Sequence, residues 1–255
     1  MAQQLLNNLV KNFSLALLLL LASVNNQFAQ AEEKWVADEI FLQMSQMRKD
    51  IQQLQQKVAG LEQKLADVRP ASPPISLLGT EKMTLGKSDA VIAILEFSDY
   101  ECPYCAKHYQ NVLPKLQERY IDKGTVSYVM MDFPLEFHAH AKKASLSARC
   151  AGQQGQYWAM HNRIFDAHGQ VTDQLLDNAI KQLKLKAKAF KQCVASTAQL
   201  AAIEKDIALG ARLGVNGTPA FLVGKVKDQQ LIDYQRLDGV QSYETFAGII
   251  ENFKK

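Results

Sequence analysis

The sequence predicts an α/β domain with a helical insertion, preceded by an N-terminal coiled-coil helix. Two apolar runs of strand length, at residues 90–97 and 126–131, are separated by helical spacing and predict a strand–helix–strand unit. Helical periodicity then dominates residues 139–212, and strand signal returns at residues 219–237, ahead of a last amphipathic helix. A heptad pattern over residues 40–68 predicts the coiled coil.

The first 31 residues have the layout of a secretory signal peptide. Lys11 precedes an apolar run at residues 13–22, and the small-x-small sequence Ala29-Gln30-Ala31 follows. An uncleaved membrane anchor is the alternative, but the apolar core at residues 13–24 is shorter than the roughly 20 residues of a spanning helix. We therefore expect cleavage after Ala31 and a soluble, periplasmic mature protein.

Charge and cysteine content narrow the function classes. The chain has 29 basic and 26 acidic residues. Cleavage removes one lysine and no acid, which leaves 28 basic and 26 acidic groups and a net charge of +2. The two signs are interspersed, which argues against nucleic acid or anionic lipid as a partner. All four cysteines lie in the exported part, where disulfides form.

Residues 32–69 are predicted to form one oligomerisation helix. Its a positions hold Met44, Ile51, Val58 and Leu65, and its d positions hold Ile40, Met47, Leu54, Leu61 and Val68. The stripe could pack on the following domain, but a strict 3.5-residue period favours another helix of the same kind. We expect a homodimer, with a trimer left open. Residues 70–81, with three prolines, are predicted to be a stiff linker, and residues 82–255 the globular domain.

The chemistry-bearing motif is Cys102-Pro103-Tyr104-Cys105, which follows a predicted buried strand and begins a helix. Free N–H groups and the helix dipole at this position favour the thiolate of Cys102, the reactive form of cysteine. Cys105 lies one helical turn further on, within disulfide reach, and is predicted to resolve the mixed disulfide. Pro103 fits the first helical position because its missing N–H is not needed there.

Metal binding is the alternative use of a Cys-x-x-Cys pair. A structural zinc site needs a second such pair, whereas Cys150 and Cys193 stand far apart in the sequence. His138 and His140 are two residues apart and would not share a ligand face on a helix. Together with His161 and His168, we expect them to have surface or capping roles. The sequence therefore predicts no metal and no other cofactor.

Two separated motifs resemble the DsbA-like branch of the thioredoxin superfamily. They are Glu-Phe-Ser-Asp-Tyr-Glu-Cys-Pro-Tyr-Cys at residues 96–105 and Gly-Val-Asn-Gly-Thr-Pro-Ala at residues 214–220. They occur in the family's order and flank a helical insertion, and the resemblance extends over residues 82–255. It implies a thioredoxin fold with a helical insertion and thiol-disulfide oxidoreductase activity.

The resemblance also implies roles for single residues. Pro219 corresponds to the cis-proline that faces the redox pair, and Thr218 would present backbone groups to an extended client chain. We place Pro103 and Tyr104 with Thr218 among the substrate-binding residues. The most oxidising relatives have histidine at the position of Tyr104, so a less oxidising potential is expected here.

Glu96 aligns with the family's buried acid and would move protons to and from Cys105. A solvent-exposed carboxylate at the strand end is the alternative, because a buried acid needs a partner. Glu101 is expected to be an exposed residue at the edge of the site.

Cys150 and Cys193 have two interpretations, a structural disulfide within the insertion or two free buried thiols. The oxidising compartment favours the disulfide. DsbA-like relatives also carry non-catalytic disulfides in this region.

The sequence thus predicts an enzyme that forms and/or isomerises disulfides in unfolded or misoxidised exported proteins, with a membrane redox partner. The coil favours isomerase activity, because oligomeric relatives with facing redox sites resemble disulfide isomerases. The alternative is a periplasmic copper-binding or holdase module, since soft Cu(I) suits thiolates.

Overall fold

The computed structural model describes residues 39–61, 73–80 and 83–255. The described residues fall into two compact units, a helix before residue 70 and a domain after it. The predicted signal peptide at residues 1–31, the last part of the coil and the start of the linker lie outside the described residues.

Residues 39–61 form α1, a continuous helix. The predicted helix is confirmed over these residues, and the rest of its predicted range, 32–38 and 62–69, lies outside the described residues. Its pairing with another helix stays a prediction. Its heptad side chains are 48% to 65% exposed to solvent in the single chain; they are Ile40, Met44, Met47, Ile51, Leu54, Val58 and Leu61.

A six-stranded sheet forms the core of the domain. Its strands are β1 (Ile75–Ser76), β2 (Thr84–Leu85), β3 (Ile92–Ser98), β4 (Val126–Asp132), β5 (Ala220–Lys227) and β6 (Gln230–Asp238). They lie in the order β1-β6-β5-β3-β4-β2, with β3 and β4 parallel and the other pairs antiparallel. Every residue of β3 and β4 is buried. This agrees with their nearly continuous apolar sequences, which are typical of strands covered on both faces.

Helices cover both faces of the sheet. The strand–helix–strand unit is completed by α2 (Pro103–Asn111), α3 (Leu113–Leu116) and a π-helical turn (Gln117–Ile121). These elements and the last helix, α9 (Tyr243–Phe253), pack on the face that carries Ile94 and Tyr128. The opposite face carries Phe97. Side chains alternate between these two faces along β3, so Glu96 points toward α2.

The predicted helical insertion is confirmed. Its helices are α4 (Ala141–Gly152), α5 (Tyr157–Phe165), α6 (Asp173–Gln182), α7 (Ala187–Ala195) and α8 (Thr197–Arg212). Thr172 caps α6 by accepting a hydrogen bond from the Leu175 N–H, which satisfies one free donor of the first turn. A disulfide between Cys150 and Cys193 joins α4 to α7.

A buried arginine connects the insertion to the sheet. Arg149 of α4 forms ion pairs with Asp132 at the end of β4 and with Asp206 of α8. Asp206 also accepts a hydrogen bond of 3.1 Å from the Asp132 N–H. Because the arginine is paired on both sides, its charge is compensated in the low-dielectric interior.

The predicted linker boundary needs correction. Residues 70–81 were expected to be spacer, but Ile75 and Ser76 form β1 and pair with Leu231 and Gln230 of β6. Ile75 is buried, so the domain begins before residue 82. Among the residues that the structure describes, every helix is too short or too polar to cross a membrane.

The Cys150–Cys193 disulfide closes a chain segment with a sequence separation of 43. Replacing both residues by alanine is expected to lower the free energy of unfolding by about 4 kcal/mol, because the unfolded chain loses a loop constraint. Urea unfolding of the parent and of the Cys150→Ala, Cys193→Ala double variant measures this difference. A loss below about 1 kcal/mol would show that the bridge adds little.

Candidate active site

The redox pair lies where β3 ends and α2 begins. Cys102 is the N-cap of α2 and has extended backbone geometry, and Pro103 occupies the first helical position. The Cys102 N–H donates to the Asp99 carbonyl over 3.1 Å, which closes the turn between strand and helix. This places the Cys102 sulfur at the positive end of the helix dipole.

The loop before β5 lies against this sulfur. The Thr218–Pro219 peptide bond is cis. The Cys102 thiol donates a hydrogen bond of 3.3 Å to the Thr218 carbonyl. The Thr218 hydroxyl is buried beside this sulfur, and a hydrogen bond from it favours the Cys102 thiolate.

Cys102 is poised as a thiolate near neutral pH. Its pKa is lowered to about 6, first because the Cys105 thiol donates to its sulfur, against the opposing effect of burial. Thr218 and the N–H groups of Tyr104 and Cys105 lower the pKa further. Cys102 is buried, with 4% of its surface exposed.

The pKa of Cys105 is shifted in the opposite direction to that of Cys102. Cys105 is fully buried, and burial raises the pKa of its thiol well above the usual range. Its hydrogen bond to Cys102 and the negative charge of Glu96 act in the same direction. The proton of the pair therefore stays on Cys105 while Cys102 carries the charge.

Glu96 is a buried acid next to Cys105, not an exposed carboxylate at the strand end. Its Oε1 accepts a hydrogen bond of 2.8 Å from the Ser98 hydroxyl, and its Oε2 accepts a short one from the Tyr128 hydroxyl. Burial raises the pKa of Glu96 to about 7, although both hydrogen bonds lower it. A carboxyl with this pKa can exchange a proton near neutral pH.

Sequence reasoning missed His108, the next member of this network. Its Nε2 lies 3.1 Å from the Tyr128 hydroxyl oxygen, and its side chain is fully buried. The available signal was its position three residues after Cys105, on the same face of α2.

Two acidic residues of the loop between β3 and α2 bind the segment that leads into the helical insertion. Asp99 is buried and accepts hydrogen bonds from the Leu135 N–H over 2.7 Å and from His138 over 2.8 Å. The expectation that Glu101 is exposed was wrong, because its side chain is 14% exposed and accepts from the His140 N–H over 2.6 Å. The loop before α4 is thereby attached to the redox site.

A cleft of about 520 Å³ borders the redox motif and includes Thr218, whose carbonyl contacts Cys102. Tyr104 and Lys107 of α2 line one side, Thr218 and Pro219 line the floor, and the end of β6 closes it. Tyr104 is 62% exposed, so its ring is available for an apolar contact. Within the described residues, no three His, Cys, Asp or Glu side chains converge as metal ligands.

Comparison with known proteins assigns the family. Residues 79–252 match the thioredoxin family model. The chain belongs to the thioredoxin family. It is a DsbA-like thiol-disulfide oxidoreductase.

Curated and solved relatives agree with this assignment. The Bacillus anthracis "Probable disulfide bond formation protein D" is 32% identical over 155 residues, which cover 56% of this chain and 69% of that protein. The Bacillus subtilis "Disulfide bond formation protein D" is 27% identical and is covered over 72% of its length, against 60% of this chain. The crystal structure of Wolbachia pipientis alpha-DsbA1 has 25% identity and a TM-score of 0.60, covering 73% of this chain and 93% of that one.

The raised pKa of Glu96 makes the stability of this DsbA-like protein depend on pH. The folded state holds the Glu96 proton more tightly than the unfolded state, because the pKa moves from 4.5 to about 7. The free energy of unfolding therefore falls as the pH rises between those two values and is level above them. Glu96→Gln, which cannot ionise, is expected to be roughly 3 kcal/mol more stable than the parent at about pH 8 and equal to it at about pH 4.

Urea unfolding of the reduced proteins at both pH values measures this difference. Glu118→Gln is the matched control, since the Glu118 side chain is 78% exposed and the variant is expected to behave like the parent at both pH values. Equal stability of Glu96→Gln and parent at about pH 8 would contradict the raised pKa.

The redox potential should lie below that of the strongest oxidants. A pKa of about 6 stabilises the Cys102 thiolate less than the pKa near 3.5 of the most oxidising enzymes. Equilibration with glutathione is therefore expected to give a potential clearly more reducing than about −120 mV, and Tyr104→His is expected to raise it. A parent value at about −120 mV would overturn this expectation.

Proposed function

We propose that this protein forms and isomerises disulfide bonds in exported proteins, with Cys102-Pro103-Tyr104-Cys105 as its redox centre. The observation that carries the proposal is the difference between the two sulfurs: Cys102, at the start of α2, has a lowered pKa, and the more deeply buried Cys105 has a raised pKa. Disulfide exchange needs this difference, because the attacking sulfur must be ionised and accessible while the resolving sulfur waits as a thiol.

Oxidation of a client begins from the Cys102–Cys105 disulfide. A client thiolate attacks the Cys102 sulfur, a client–Cys102 disulfide forms, and the electron pair of the broken bond stays on Cys105. Glu96 supplies the proton that Cys105 then takes up. A second client thiolate attacks the client sulfur of the mixed disulfide, which releases the client disulfide and the Cys102 thiolate.

Isomerisation begins from the reduced pair. The Cys102 thiolate attacks an incorrect client disulfide, forms a client–Cys102 disulfide and expels one client thiolate, which then attacks a different client disulfide. A client thiolate freed by that exchange attacks the client sulfur of the mixed disulfide, which forms the new client disulfide and releases the Cys102 thiolate. If rearrangement stalls, Cys105 gives its proton to Glu96 and attacks Cys102, which releases the reduced client.

The client would bind in the cleft that borders the redox motif. The exposed ring of Tyr104 offers an apolar surface, and Thr218 and Pro219 offer backbone groups to an extended segment. Unfolded or misoxidised proteins suit this open cleft because they present extended segments.

The alternative of copper binding fits the site less well. A Cu(I) ion would need both sulfurs as thiolates. Burial and the neighbouring Glu96 charge oppose ionisation of Cys105.

The exposed apolar stripe of α1 supports a homodimer, with a trimer as the alternative. Seven described heptad side chains are solvent-exposed in the single chain, and helix pairing would bury them. Two redox sites in one assembly could act on one client together. Export to the periplasm and reoxidation by a membrane partner complete the proposal, and the predicted signal peptide at residues 1–31 supports export.

Reactivation of a scrambled-disulfide protein tests the link between the coil and isomerisation. We expect the double variant Ile51→Lys, Leu54→Lys to be monomeric by light scattering, because it places charges at adjacent a and d positions. It should lose most isomerase activity and keep oxidation of a reduced peptide. Removing residues 32–69 from the mature protein should have the same effect.

Gln52→Lys, Gln56→Lys is the matched control. It adds the same charge to the same helix at the outward b and f positions, so assembly and activity should be unchanged. A monomeric variant that isomerises disulfides as fast as the parent would show that the coil is not needed for isomerisation.

A further inference from the structure

His108 is a buried histidine one helical turn after Cys105. Phe221 and Phe246 surround its ring, with centroid distances of 4.5 and 5.5 Å. Its Nε2 contacts the Tyr128 hydroxyl, and its Nδ1 is buried with no hydrogen-bond partner among the described residues. A half-satisfied imidazole in an apolar pocket is unfavourable compared with an apolar side chain, so the hydrogen bond to Tyr128 is the interaction that offsets its burial.

The hydrogen-bond directions follow from the chemistry of the three groups. The Tyr128 hydroxyl has one proton, and an ionised Glu96 can only accept it. The Tyr128 oxygen must then accept from His108, so Nε2 carries the imidazole proton and Nδ1 carries none. Burial lowers the pKa of His108 to about 3, which keeps the ring neutral.

We propose that His108 is a positioning residue that, through Tyr128, holds Glu96 as the proton acceptor for the Cys105 thiol. The inference rests on the proposed function, in which Cys105 must lose a proton before it resolves a mixed disulfide. The Nε2–H group of His108 donates to the Tyr128 oxygen. The single hydroxyl proton of Tyr128 is therefore directed to the Glu96 carboxylate.

The groups around Glu96 explain why the direction of the Tyr128 hydrogen bond matters. Ser98 faces it from β3, Tyr128 from β4, and Cys102 and Cys105 from the start of α2, with His108 behind Tyr128. Phe221 of β5 is the cross-strand neighbour of Glu96, and Phe221 and Phe246 of α9 pack on His108. None of these groups is a cation while His108 is neutral. Ionisation of Glu96 therefore depends on its neutral donors, and a weaker Tyr128 donor would leave the carboxyl protonated and unable to accept.

The step that Glu96 assists needs no reagent besides the groups of the site and the bound client. The S–H bond of Cys105 breaks and its proton moves to Glu96. The electron pair left on Cys105 attacks the Cys102 sulfur, a Cys102–Cys105 bond forms, and the bond to the client breaks. The client leaves as a thiolate with the electron pair of that bond, so no external oxidant is required.

Titration of Glu96 in the reduced protein tests the proposal directly. Carboxyl NMR shifts of labelled glutamate give its midpoint at equilibrium, without turnover. We expect His108→Leu to raise the midpoint by roughly half to one pH unit, because one link of the donor chain is lost. His108→Gln places an amide N–H near the position of Nε2 and is expected to restore the parent midpoint.

His161→Leu is the matched control. His161 is also buried, and burial lowers its pKa to about 4, but it packs in the insertion against Tyr100 and Phe165. Its removal is expected to leave the Glu96 midpoint unchanged. His108→Asn, whose amide reaches only the Nδ1 position, replaces the leucine variant if that variant does not fold, with the same expected shift.

The rate at which Cys105 releases client thiol from a preformed mixed disulfide supplies the second readout. Its pH profile should move upward with the Glu96 midpoint in His108→Leu and not in His108→Gln. An unchanged midpoint in His108→Leu, or an equal shift in His108→Gln, would overturn the positioning role. A shifted midpoint in a protein that resolves no mixed disulfide would instead contradict the proposed function alone.

Discussion

The site depends on the difference in burial between two sulfurs that stand three residues apart. Cys102 is the N-cap residue of α2, and Cys105 lies one helical turn further on, more deeply buried and beside the buried Glu96. Burial penalises the charged form of each group, and only Cys102 has enough donors to overcome that penalty. The fully buried β3 is the element that sets these depths, because its end fixes where the helix begins.

The rest of the domain maintains this arrangement through buried polar contacts. Asp99 and Glu101, on either side of Tyr100, bind the segment that leads into α4. Arg149 then joins α4 to β4 and α8. The helical insertion is thus attached both to the redox loop and to the sheet. Displacement of the insertion would leave buried charges without partners, which disfavours movement at the site.

Local sequence patterns predicted the main elements and the cysteine pair, because apolar runs and a Cys-x-x-Cys motif report short-range constraints. They did not predict β1, since prolines at 73 and 74 indicate a spacer and a two-residue strand exists only through pairing with β6. Glu101 was predicted exposed because its partner, His140, is 39 residues away. His108 was missed for the same reason, since Tyr128 lies 20 residues further along the chain and only the packed sheet brings them together.

Cys102 is the ionised and less deeply buried sulfur of the pair, and Cys105 is the protonated, fully buried one. Alkylation of the reduced protein over a pH series, with each cysteine followed separately by mass spectrometry, tests this most directly. We expect Cys102 to be modified with a midpoint at about pH 6, while Cys105 stays unmodified through neutral pH. Equal modification of both cysteines, or earlier modification of Cys105, would contradict the account.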